Sequence, residues 1–131
     1  IWQVAGLGPM AGQNHHFVQY ADEKIQYAID RYVKETARLY AVLNKQLAKQ
    51  AFIVGDYSIA DMACYPWIVL AERQLQDLAN FPHLKRWCDT IAARPAVQKA
   101  YNIAKDISNG PTVTDEAKKI LFGQDAKTVR D

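Results

Sequence analysis

The sequence predicts an all-α fold, a helical bundle of five to six helices around a buried central helix. Two positive observations and one absence predict it. After Asp61 the chain carries no charge until Glu72, and Met62, Ala63, Cys64, Tyr65, Trp67, Ile68, Val69, Leu70 and Ala71 cover every side of a helical wheel. A helix apolar all round has no solvent face, so it belongs inside a bundle. From Asp22 to Gln50, Ile25, Ile29, Tyr32, Thr36, Leu39, Leu43 and Leu47 recur at steps of three and four, the period of a long helix with one buried stripe. Nowhere does the chain alternate like a strand, repeat itself or lapse into low complexity.

Taken in order, Trp2, Val4 and Leu7 read like the middle of an apolar segment, as though something preceded Ile1. Gly6, Gly8, Pro9 and Gly12 interrupt a regular helix, although a helix using glycines for close packing is also open. Gln13 to Phe17 has no clean period and reads as a loop or a helix end. The long helix follows, and Gly55 and Asp56 mark the turn into the central segment, Asp56 to Arg73. Ser58 is placed as its N-cap and Asp61 as its third residue, the two ends of a capping box, with Tyr57 and Met62 as the hydrophobic staple. Pro66 lacks the N–H that would bond Met62 and predicts a bend. Asn80, Phe81 and Pro82 punctuate again before a helix that buries Leu84, Trp87, Cys88 and Ile91. Pro95 suits the first position of another, with Val97, Ala100, Tyr101 and Ala104 inward and an end near Asn109 to Pro111. Thr114 and Ala117 open a last short helix ending near Phe122 and Gly123, and the final eight residues read as loose. The division expected is a helical domain over 1–108 and a C-terminal extension over 109–131.

The chain has 131 residues, half of them hydrophobic and 23% charged, with a net charge of +2. That balance describes a globular protein with a real core, and the charge is too small to suggest a nucleic-acid or membrane partner. Cys64 and Cys88 sit in apolar helical patterns with no signal peptide or membrane run before them, which favours a reducing, cytoplasmic setting. A disulfide between them is open, though buried free cysteine commonly serves as a small hydrophobe. His15 and His16 are adjacent and point different ways on a helix, with no carboxylate or cysteine cluster of metal-ligand spacing nearby, so no metal is expected. No nucleophile elbow and no phosphate-cradling glycine loop occurs. Arg31 lies on the flank of the long helix's stripe, one turn before Glu35. Periodicity leaves two readings open, a surface pair with Glu35 or a guanidinium that grips a ligand carboxylate. Tyr20, Tyr27, Tyr32, Phe17 and Trp2 could wall such a groove or simply be core.

Four stretches carry a resemblance: WQVAGLGPMAGQNHHF, YAIDRYVKETARLYAVLNKQL, GDYSIADMACYPW and LKRWCDTIAARPAVQKA. Together, over roughly residues 1 to 105, they resemble the C-terminal helical domain of bacterial glutathione S-transferases. The likeness is greatest to the Nu-class branch, the glutathione-dependent disulfide-bond oxidoreductases and their Ure2-like relatives. The SIAD box marks glutathione transferases in general, whereas the GQNHHF and YAIDRY segments are particular to that branch. The resemblance implies a cytosolic homodimer that uses glutathione with a small electrophile or disulfide as second substrate. It implies that Arg31 binds glutathione and that Gln13, Asn14, His15 and Phe17 lie near the mouth of the electrophile pocket. Ser58 and Asp61 match the family's folding signature and have no catalytic part. The family's thioredoxin-like N-terminal domain, which supplies most glutathione contacts and orients the thiol, has no counterpart in this sequence, so no catalytic residue is expected here. The alternative is a stand-alone, non-enzymatic helical interaction module. An exposed apolar patch where the thioredoxin-like half would dock favours the two-domain protein, and polar residues there favour the module.

Overall fold

The computed structural model describes residues 1–107 and 113–128, apart from the side chain of Asp106. Among these residues there are six α-helices and no strand: α1 Gly8–His15, α2 Gln26–Leu47, α3 Ile59–Ile68, α4 Pro82–Ala92, α5 Pro95–Ile107 and α6 Asp115–Phe122. The expected end of α5 near Asn109 to Pro111, and the domain boundary at 108, lie outside the described residues.

The N-terminal segment departs from the reading of its glycines. Single π-helical turns at Gln3–Leu7 and His16–Tyr20 flank α1, so the chain is helical where a break or loop was expected. Packing explains the difference. Cβ atoms built on Gly8 and Gly12 would stand 3.6 and 3.7 Å from the Trp67 ring, and one on Gly6 would stand 3.5 Å from Leu39. These are ordinary van der Waals distances, so the glycine face is packed against Trp67 and Leu39, and that packing offsets the roughly 1 kcal/mol that glycine costs a helix.

The stripe of α2 is buried as predicted at Thr36, Leu39, Leu43 and Leu47, with Tyr40 added, although the helix starts only at Gln26 and leaves Ile25 as its exposed N-cap. Leu84, Trp87, Cys88 and Ile91 of α4 close the other side of the core. In α5 the expected inward set is only half realised: Val97 packs against the core and Tyr101 meets Tyr65 at 5.8 Å, while Ala100 and Ala104 are exposed. Alanines bury too little area to draw that face inward. At the C-terminus, Thr114 caps α6 by accepting from the Ala117 N–H at 3.2 Å, and a hydrogen-bonded turn joins Asp125 and Thr128 where loose chain was expected.

The central helix needs the largest correction. Its capping box is formed, with the Ser58 N–H donating to Asp61 at 3.0 Å. Asp61 is fully buried and also accepts from the Ile53 N–H at 3.0 Å and the Trp87 indole at 2.8 Å. The helix ends at Ile68, however, and the chain turns through a 3-10 segment at Glu72–Gln74 and a left-handed Leu75 (φ 55°). Only one side is buried. Ile59 is 82% exposed and Met62 53% exposed, and with Ala63, Pro66, Val69 and Leu70 they form a continuous apolar face open to solvent. The prediction assumed that an apolar face is always covered by its own chain, and here it is not. Tyr57, ahead of the cap, packs on Phe52 and beneath the Arg94 guanidinium, 3.7 Å from its ring centre.

Asp61→Ala should therefore destabilise the fold by about 3–5 kcal/mol, because it strands several buried donors at once. Ser58→Ala should cost about 1 kcal/mol. Urea denaturation of both variants checks the ratio; equal costs would mean that Asp61 acts only as a cap.

Candidate functional site

The GQNHHF segment is held against α2 by a buried polar network. The Asn14 amide, fully buried, donates to Thr36 Oγ1 and to the Gln74 carbonyl, both at 3.0 Å. The Gln74 side chain joins the Tyr40 hydroxyl (3.0 Å) to the Trp67 carbonyl (3.1 Å), and Gln76 donates to the Val33 and Gln74 carbonyls. These bonds satisfy backbone groups that the end of α3 and the turn at Leu75 leave open. Nothing in the apolar periodicity marks Gln74 and Gln76 as interior. The one available signal is two amides at alternate positions just beyond an apolar run.

Beyond this network lies an aromatic seam. Phe17 stacks on Tyr32 with ring centres 5.6 Å apart and planes 8° from parallel. His15 meets Tyr20 edge-on at 5.0 Å. Phe122 of α6 lies 4.7 Å from His16 and 5.8 Å from Tyr20. Of the five aromatics expected to wall a groove, Phe17, Tyr20 and Tyr32 thus come together. Trp2 instead lines a separate groove with Val42, Leu43 and Ile53, and Tyr27 is exposed.

The predicted site residues divide in the same way. Gln13 is exposed, Phe17 is half-buried in the seam, and Asn14 and His15 are enclosed. Arg31 is exposed one residue before Tyr32, and it makes no ion pair among the described residues. The Glu35 carboxylate is taken by Arg38, at 2.7 and 2.8 Å, so the surface pair open in the sequence forms with the other arginine.

The thiols are unsuited to nucleophilic work. Cys64 and Cys88 are free and buried, and burial pushes each pKa up to about 11, whereas an active cysteine needs a stabilised thiolate. No group of three metal-ligating side chains occurs among the described residues, and no described helix is long and apolar enough to cross a membrane.

Comparison with known proteins now decides the family. The model of the glutathione S-transferase C-terminal domain matches residues 7–95, more than half of the chain. The chain belongs to that family. It is 54% identical over 101 residues to the disulfide-bond oxidoreductase YfcG of Escherichia coli, a match covering 76% of this chain and 47% of that protein. The glutathione transferase URE2P6 of Phanerochaete chrysosporium, solved in complex with oxidised glutathione, superposes with a TM-score of 0.75 at 33% identity, covering 82% of this chain and 51% of that one. A glutathione transferase homologue of Lodderomyces elongisporus, solved with two glutathione molecules per subunit, also gives 0.75, at 38% identity over 79% of this chain and 50% of that one. The chain spans about half the length of the relatives it matches.

His15 gives a pH dependence. Burial, and secondarily the charge of Arg73, lower its pKa from the ordinary 6.5. The folded state therefore holds the ring neutral, and protonation favours the unfolded chain. The stability involved is complete above pH 6.5 and is lost as the pH falls below it. Denaturation midpoints should drop between pH 7 and 5, and His15→Gln should flatten that part of the profile; an unchanged slope would show that the ring is freely protonated in the fold.

Proposed function

We propose that this chain forms one wall of a glutathione cleft in a Nu-class-like transferase or disulfide reductase. Arg31 grips a glutathione carboxylate, and the Gln13 to Phe17 segment faces the electrophile or disulfide that reacts with it. The similarity to a disulfide-bond oxidoreductase at 54% identity carries the reading. The exposed Arg31, whose neighbour Glu35 is already bound to Arg38, supports the residue assignment, since a planar guanidinium binds carboxylates through paired hydrogen bonds. Within the segment, the buried Asn14 and His15 act by positioning, and Gln13 and Phe17 are the residues open to a ligand.

Cys64 and Cys88 are buried and held in the thiol form, so neither is the nucleophile, and on this reading the thioredoxin-like half activates the thiol of glutathione. The exposed apolar face of α3 supports a place for the part that does so. We assign Ile59, Met62, Ala63, Pro66, Val69 and Leu70 to the surface on which the thioredoxin-like half packs, in preference to a stand-alone interaction module. The working protein on this reading is a cytoplasmic homodimer.

Two measurements test these assignments in the protein carrying both halves. Arg31→Ala should raise the KM for glutathione about tenfold or more, the loss of one charge-assisted hydrogen bond, with a smaller change in kcat; an unaltered KM removes Arg31 from the site. Met62→Glu should cost about 1–3 kcal/mol there and within about 0.5 kcal/mol in this chain alone. Equal effects in the two would mean that the α3 face stays uncovered.

A further inference from the structure

The part of α2 that carries Arg31 has no buried side chain. The buried residues of the helix, Thr36, Leu39, Tyr40, Leu43 and Leu47, all follow Glu35, and Tyr27, Asp30, Arg31 and Lys34 ahead of them are exposed. A helix end without buried contacts opens or shifts at small cost unless something else holds it. Apart from the ring of Phe17 stacked on Tyr32, the hold here is polar. The Gln76 amide donates to the Val33 carbonyl at 3.1 Å, two residues beyond Arg31, and the Asn14 amide reaches Thr36 at 3.0 Å. A helix carbonyl keeps a second lone pair after its own helical bond, so Val33 accepts the amide without leaving the helix.

Gln76 is delivered to that carbonyl by an unusual piece of backbone. The residue before it, Leu75, lies in the left-handed region at φ 55°. Residues other than glycine rarely adopt this conformation, and it persists only where the surroundings fix it. Through it the amides on either side both turn inward, Gln74 and Gln76 being buried while Leu75 is 57% exposed. Gln74 is taken up by Tyr40 and Trp67. Gln76 is braced by a second bond from its amide to the Gln74 carbonyl at 3.1 Å and reaches α2 ahead of its buried stripe.

We propose that Gln76 is a positioning residue for glutathione binding, clamping the turn of α2 from which Arg31 reaches the ligand. A guanidinium forms paired bonds to a carboxylate at full strength only from a backbone that is already in place, because ordering a loose helix end on binding subtracts from affinity. The inference rests on the reading that Arg31 grips glutathione, and extends it to the turn after α3, which has no part in that reading.

The test is the dissociation constant for reduced glutathione, measured by calorimetry on the protein carrying both halves, in a cycle of Gln76→Met, Arg31→Ala and the double variant. Methionine keeps the length of the side chain and removes its donors. Gln76→Met alone should weaken binding about three- to tenfold, the scale of one lost neutral hydrogen bond. In the Arg31→Ala background the same change should have no further effect, since a residue that acts through Arg31 then has nothing to act on. A loss of equal size in both backgrounds would show that Gln76 only supports the fold, and unchanged binding in Gln76→Met would remove it from the site; either result overturns the proposal and leaves the Arg31 reading intact. Gln76→Asn, whose amide stops one carbon short of Val33, carries the same expectation if the Met variant does not fold. If Arg31→Ala itself binds like the unaltered protein, both readings fall.

Discussion

A buried carboxylate joins the two halves of the core. Asp61 is fully enclosed and collects hydrogen bonds from Ile53, Ser58 and the Trp87 indole. It therefore fixes the start of α3, the turn that precedes it and the largest side chain of α4 in one geometry. A carboxylate in such a place is costly unless every oxygen is satisfied, and here donors converge on it from three separate pieces of chain. The register of α3 follows, and with it the position of Trp67, whose ring lies over the glycine face of α1.

From Trp67 the chain of dependence reaches the candidate site. Its carbonyl accepts from both Tyr40 and Gln74, and the Gln74 carbonyl in turn accepts from Asn14. The GQNHHF segment is thus placed by polar bonds to α2 and to the turn after α3. Buried networks of this kind specify a single arrangement because each unsatisfied member is penalised in a low dielectric. The π-helical turn at His16–Tyr20 begins where that network ends, and it presents Phe17 and Tyr20 to the seam with α2 and α6. Irregular helical turns of this type are common where a helix must aim side chains at a ligand.

The two ends of the energetic scale lie close together. The core around Leu39, Leu43, Trp87 and Ile91 is closed, whereas α6 rests on one ring, Phe122 against His16 and Tyr20, and on one surface ion pair. Elements with so few buried contacts open at small free-energy cost.

The sequence by itself determined the helical class, the stripes of α2 and α4, the Ser58–Asp61 box and the cap of α6, because each depends on neighbours within a few positions. Its resemblance to the family is what brings Arg31 and the GQNHHF segment forward as the proposed site. Only the tertiary structure decided that the glycines of α1 pack rather than break, since their effect depends on Trp67, which lies 55 positions beyond Gly12. It likewise showed that Asn14 is enclosed, that Gln74 and Gln76 are interior, that Glu35 pairs with Arg38, and that Phe122 returns to His16. The apolar face of α3 marks the boundary between the two kinds of information. Hydrophobicity along a sequence states that a surface prefers cover, and only three-dimensional packing shows whether the same chain supplies it.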